Sequence, residues 1–167
     1  FSKLGDYIYQ IKGDTLYVNM FYSSTIEDEG LGIKLEQNAN VPNEDTVTFT
    51  VDKIADGTAV ALRQPEWLAG DAVIKVNGEE QEVTAENGFF VLEGLKAGDE
   101  ISYTMPMQVE LEATADNENF VAFKYGPVVL AAELHVEVRI RLGVVTLVAG
   151  AGDEDQLIHA AGLQLIQ

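Results

Sequence analysis

Two Asn-Gly pairs constrain this chain more than any other feature. Asn77-Gly78 follows Ala72-Val73-Ile74-Lys75-Val76, and Asn87-Gly88 precedes Phe89-Phe90-Val91-Leu92. A two-residue type I′ turn needs positive φ at both central residues, which asparagine and glycine tolerate best, so each pair predicts a tight bend beside a strand. Upstream of the first pair, Ala59-Val60-Ala61-Leu62-Arg63 reads as a strand with Val60 and Leu62 on one face. Pro65 then removes a ladder donor, and Trp67, the only tryptophan, is expected to fold back as an apolar cap. The stretch 62–78 therefore predicts two strands joined across a sandwich.

The same rhythm runs along the chain. Tyr7 to Ile11 and Leu16 to Phe21 read as an opening hairpin around Lys12-Gly13-Asp14-Thr15, and Ile33 to Gln37 as a short strand. Ser23 to Gly30 is acidic and expected to be a loop, and Val41 to Asp45 a turn. Thr46 to Val51 alternates with period two, which sets Val47, Phe49 and Val51 on one face and three threonines on the other. Gln81 to Thr84 suits a sheet edge, where charge discourages pairing with other molecules. Glu100 to Met105 turns Ile101, Tyr103 and Met105 inward before Pro106, and Val109 to Ala113, Phe120 to Phe123 and Val128 to Ala132 add further strands. Turns every ~10 residues without an intervening amphipathic helix predict an all-β fold, an antiparallel β-sandwich of jelly-roll-like form, over residues 1–132.

Residues 133–167 form an atypical tail of uncertain structure. From Leu134 onward there is no aromatic residue, although 14 occur before it, and no lysine; both histidines, His135 and His159, fall here. Leu134 to Leu142 and Val144 to Val148 alternate like strands, Asp153-Glu154-Asp155 breaks them, and Gln156 to Gln167 reads as a short helix or an unpaired end. The shift in composition predicts a segment of separate origin. The chain opens on Phe1 and is expected to be a piece of a longer protein.

Charge narrows the partners. Ten basic against 28 acidic residues give −18, which repels phosphate backbones and anionic lipid, so neither nucleic acid nor a membrane is an expected partner. The absence of cysteine removes disulfides, thiolate nucleophiles and Cys-ligated zinc without identifying a compartment; a cytoplasmic one is the working expectation.

No catalytic constellation is legible. The two histidines lack metal-ligand spacing, and neither Glu27-Asp28-Glu29 nor Asp153-Glu154-Asp155 has the calcium-loop pattern of alternate carboxylates. Glu79 and Glu80 are strand neighbours on opposite faces, so they cannot flank one bond as acid and base. No catalytic residue, resident metal or cofactor is assigned. Tyr7, Tyr9, Tyr22 and Trp67 could stack on a sugar, with Arg63 beside them; the competing reading is that the rings fill and rim the core, with Tyr7 and Tyr9 on one strand face.

An ordered series of motifs carries a resemblance. Tyr7-Ile8-Tyr9, Leu16-Tyr17-Val18-Asn19-Met20-Phe21, Leu62-Arg63-x-Pro65-x-Trp67, Val76-Asn77-Gly78, Gly98-Asp99, Met105-Pro106-Met107 and Tyr125-Gly126-Pro127-Val128-Val129-Leu130 resemble, in that order, bacterial β-L-arabinofuranosidase-like glycoside hydrolases of family 127. The resemblance covers roughly residues 1–132 and departs at Leu95, where the family tends to an aromatic. It implies β-sandwich domains paired with a catalytic (α/α)6 barrel, and it places the zinc-binding cysteines, the nucleophile among them, and the acid/base glutamate in that barrel. None of those residues can be carried onto this chain. The resemblance thus implies a non-catalytic accessory sandwich that packs on and supports the barrel of a longer enzyme. A carbohydrate-binding module using Trp67 and the tyrosines, and a Ca²⁺-stabilised adhesin-like sandwich, are the alternatives.

Overall fold

The computed structural model describes residues 5–114 and 117–131. The tail expectations, including both histidines and Asp153-Glu154-Asp155, lie outside the described residues. Two compact units emerge among them: residues 5–108 with 124–128, and residues 109–123 with 129–131.

In the first unit the strands are β1 (Tyr9–Lys12), β2 (Thr15–Val18), β3 (Ser24–Asp28), β4 (Ile33–Asn38), β5 (Thr46–Lys53), β6 (Ala59–Arg63), β7 (Val73–Val76), β8 (Glu79–Glu80), β9 (Phe89–Leu92) and β10 (Glu100–Thr104). They make a four-stranded sheet in the order β1-β2-β6-β9 and a six-stranded sheet in the order β3-β4-β5-β10-β7-β8. Alternate apolar residues of the two sheets meet in one core. Leu16, Val18, Val60, Leu62, Phe90 and Leu92 come from the first sheet, and Ile33, Leu35, Val47, Phe49, Val51, Ile74, Ile101 and Tyr103 from the second. The stretch 62–78 does join two sheets, since β6 belongs to one and β7 to the other.

Several expectations shift in detail. Residues 23–30, expected as a loop, contain β3, which pairs in register with β4 from Ser24↔Gln37 to Asp28↔Ile33. Ile26 packs on the core while Thr25 and Glu27 are exposed, so the acidic composition belongs to an edge strand. The opening strand starts at Tyr9; Tyr7 closes a 3₁₀ turn, Gly5–Tyr7, so Tyr7 and Tyr9 share no strand face. Residues 81–84 are not a strand, and the edge of the larger sheet opposite β3 is β8 instead. All of Ala59 to Leu62 is buried, because β6 is a central strand whose outer face is also covered: Tyr17 and Phe89, from the flanking strands, meet edge to face at 5.0 Å. The small Ala61, paired with Tyr17, leaves room for that contact.

The Asn-Gly expectations hold. Asn77 and Gly78 have φ of 54° and 83°, and Asn87 and Gly88 of 51° and 80°. The first turn is also tied to its neighbour: Asn77 Nδ2 donates to Asp99 Oδ1 at 2.8 Å, and Asn77 Oδ1 accepts from the Glu100 N–H at 3.0 Å. The Asn77 amide N–H, with the Lys96 backbone N–H, holds the Asp99 carboxyl below the usual carboxylate range. Its folded pKa is lower than its unfolded one, so the stabilisation is present above about pH 4 and fades as pH falls through the folded value. On acidification from about pH 5 to 3, the melting temperature of the native chain should fall further than that of Asp99→Asn; equal falls would refute the linkage. The difference should be small, because the carboxylate is solvated.

The second unit contributes to a three-stranded sheet in the order β11-β12-β13, with β11 (Val109–Thr114), β12 (Asn117–Tyr125) and β13 (Val128–Leu130). These are the strands expected after Pro106.

Candidate functional site

One pairing in the first unit positions a cleft. β2 and β6 run parallel, Thr15↔Ala59 to Val18↔Leu62, in a structure otherwise paired antiparallel among the described registers. Parallel neighbours release the chain at the same end of a sheet. From that end residues 19–23 cross to β3 and residues 64–72 cross to β7, both passing from the smaller sheet to the larger. The two crossings enclose a cleft of about 410 Å³. Asn19, Met20, Phe21 and Tyr22 line it from the first crossing, Arg63, Pro65, Glu66 and Trp67 from the second, and Val41, Pro127 and Val128 complete it.

Hydrogen bonds hold both walls, and on each wall one of them comes from a buried side chain, Gln37 or Tyr103. Gln37, 1% exposed, donates from Nε2 to the Met20 carbonyl at 3.2 Å and to the Tyr22 carbonyl. Two carbonyls face this amide, so its nitrogen must point at them, which leaves Oε1 without a partner among the described residues. Ser23 Oγ donates to the Ala39 carbonyl and accepts from the Ala39 N–H, at 2.9 and 3.0 Å. On the other wall the Tyr103 hydroxyl donates to the Arg63 carbonyl at 3.0 Å, and burial pushes that phenol well above its ordinary pKa, so it remains a donor. The Gln64 N–H reaches the Gly88 carbonyl at 2.8 Å, and the Ala69 N–H reaches the Pro106 carbonyl at 2.9 Å. Gly126 has φ 53°; a Cβ there would strike Met107 Sδ and come within 3.6 Å of Trp67 Cε3, so glycine lets this bend close against the indole.

Of the residues singled out in the sequence, Trp67, Arg63 and Tyr22 meet at the cleft, while Tyr7 and Tyr9 do not line it. Trp67 is half-buried and packs on the core, whereas Tyr22 is 55% exposed. Tyr7 is 59% exposed; Tyr9 packs on the core and bonds Ser24 Oγ at 3.0 Å, and burial raises its pKa despite that bond. Sequence reasoning missed Asn19 and Glu66. Glu66 lies inside the Arg63-x-Pro65-x-Trp67 motif and could have been noticed there; Asn19 reaches the cleft only through the parallel pairing. The Arg63 to Gly70 segment also borders a second hollow, of about 720 Å³, on the side of Asn87 to Phe89.

The zinc that the resemblance places in the barrel finds no fitting donor set among the described residues. The chain has no cysteine, and the described residues bring no three His, Asp or Glu side chains together as a metal site. The Asp28 carboxylate instead accepts the Leu31 N–H at 2.8 Å, which closes the turn after β3. No helix among the described residues is long and apolar enough to cross a membrane.

Two packed sheets with a rigid-walled cleft at one end define a β-sandwich module. Residues 15–107 match the family model described as β-L-arabinofuranosidase, GH127 middle domain, and the chain belongs to that family. It is 30% identical over 139 residues to the non-reducing end β-L-arabinofuranosidase of Bifidobacterium longum subsp. longum, covering 76% of this chain and 21% of that protein. Among solved structures it is similar to a GH127 β-L-arabinofuranosidase from Geobacillus stearothermophilus T6, with a TM-score of 0.66 and 29% identity over 77% of this chain and 22% of that one. A GH127 β-arabinofuranosidase at 23% identity shares the fold, with a TM-score of 0.63 over 74% of this chain and 23% of that one. The chain thus spans about one-fifth of the length of these relatives and corresponds to the middle domain of the family.

Proposed function

We propose that this sandwich has no hydrolytic activity of its own and serves a longer glycoside hydrolase by packing on its catalytic (α/α)6 barrel and supporting the substrate-side loops. The observation that carries this reading is the confinement of the match to a middle domain that makes up 21–22% of relatives named as β-L-arabinofuranosidases. Uncovered apolar side chains support it. In the first unit Tyr7 and Ile11 are 59% and 42% exposed; in the second, Leu111, Val129 and Leu130 are 47%, 64% and 45% exposed. Side chains of this kind suit a surface that another part of a protein covers.

The pure chain should release no product from a chromogenic β-L-arabinofuranoside, with or without added zinc. Turnover that co-purifies with this chain and persists in chelator would overturn the proposal. The neighbouring carboxylates Glu79 and Glu80 do not supply an acid/base pair for such turnover, since they are adjacent on β8 and side chains of strand neighbours point to opposite faces.

A further inference from the structure

We propose that the cleft between the two parallel-strand crossings binds a neutral, polyhydroxylated ring, a sugar of about one or two residues. Size is the first argument. A volume of about 410 Å³ falls at the low end of the ~300–1,000 Å³ range of small-molecule clefts, enough for such a ligand and too little for a long chain to be enclosed.

Lining chemistry is the second. Trp67 and Tyr22 supply aromatic surface, which suits the C–H face of a sugar ring, and Pro65 adds an apolar flank. Arg63 and Glu66, both exposed, border the same space. Guanidinium only donates and carboxylate only accepts, whereas a hydroxyl does both, so adjacent ring hydroxyls can satisfy the two together. An anion is repelled by Glu66 and by a net charge of −18, and a cation, although that charge attracts it, meets the Arg63 guanidinium inside the cleft. A neutral ligand avoids both penalties.

Preorganisation is the third. The wall at Met20 to Tyr22 hangs from buried Gln37 and the wall at Arg63 from the Tyr103 hydroxyl, so the cleft keeps its shape without a ligand. This inference is independent of barrel packing, since a cleft that is only a seat for another part of a protein would bind no free sugar.

The test uses this chain itself. Xylose, arabinose, xylobiose and cellobiose are titrated while the emission of Trp67, the only tryptophan, is followed, with calorimetry in parallel and galacturonic acid as the anionic counterpart. At least one neutral sugar should give saturable binding in the millimolar range by both methods, with galacturonic acid at least about tenfold weaker. Arg63→Ala and Glu66→Ala should each weaken that binding about tenfold, the expected loss of one charge-assisted hydrogen bond, with unchanged melting temperatures because both side chains are exposed. No saturable response to any neutral sugar up to about 100 mM, binding only of the acid, or unchanged affinity in both variants would overturn the proposal.

Discussion

Replacing Tyr103 by alanine should lower the unfolding free energy of the first unit by about 3–5 kcal/mol, the usual cost of deleting a large buried ring. Tyr103 is fully buried on β10 and meets Phe90 of the opposite sheet at 5.9 Å and Phe21 of the first crossing at 5.5 Å, both edge to face. It therefore ties both sheets to the cleft. Tyr103→Phe keeps the packing and removes only the donor to the Arg63 carbonyl, so it should cost about 1–2 kcal/mol. Urea unfolding of the three chains separates ring from hydroxyl. A loss under about 1 kcal/mol for the alanine variant would show that this core is not shared by the two sheets.

Gln37→Ala should cost about 2–4 kcal/mol, because it deletes buried volume and leaves the Met20 and Tyr22 carbonyls without their donor. Gln37→Met fills nearly the same volume and separates the two effects; it should still cost about 1–3 kcal/mol. Hydrogen exchange should rise at residues 20–22 in both variants and stay unchanged at Ala69, whose bond lies on the opposite wall. A methionine variant as stable as the native chain would show that water satisfies those carbonyls equally well, and that Gln37 does not hold the wall.

The two effects differ in how far the sequence foretold them. Tyr103 belongs to an alternating run, Ile101, Tyr103 and Met105, and period-two patterning alone turns it inward. Gln37 ends another such run, in phase with Ile33 and Leu35, so alternation turns it inward too, but nothing in Ile33 to Gln37 supplies partners for its amide. Those come from the crossing from β2 to β3, which lays two carbonyls over it from 15 and 17 residues away in the chain. Similarly, Ser23 to Gly30 carries the acidic composition of a loop, and only the adjacent edge of β4 turns it into a strand.

The same division holds for the cleft. Trp67, Arg63 and Tyr22 stood out as residue types, but Tyr7 and Tyr9 stood out equally and lie elsewhere. Local chemistry identifies rings able to stack; it carries no information about which of them share a space.

What the chain determines by itself is its set of strands and bends. Side-chain alternation and the positive-φ tolerance of Asn-Gly act over a few residues, so Val47, Phe49 and Val51, or Asn77 and Gly78, behave as their neighbours dictate. What only tertiary structure decides is strand partnership. Placing β2 parallel to β6 requires the chain to travel through β3, β4 and β5 before returning, and no short-range preference encodes that path. It is selected by burial of both sheets' apolar faces in one core, and the cleft between the two crossings follows from it.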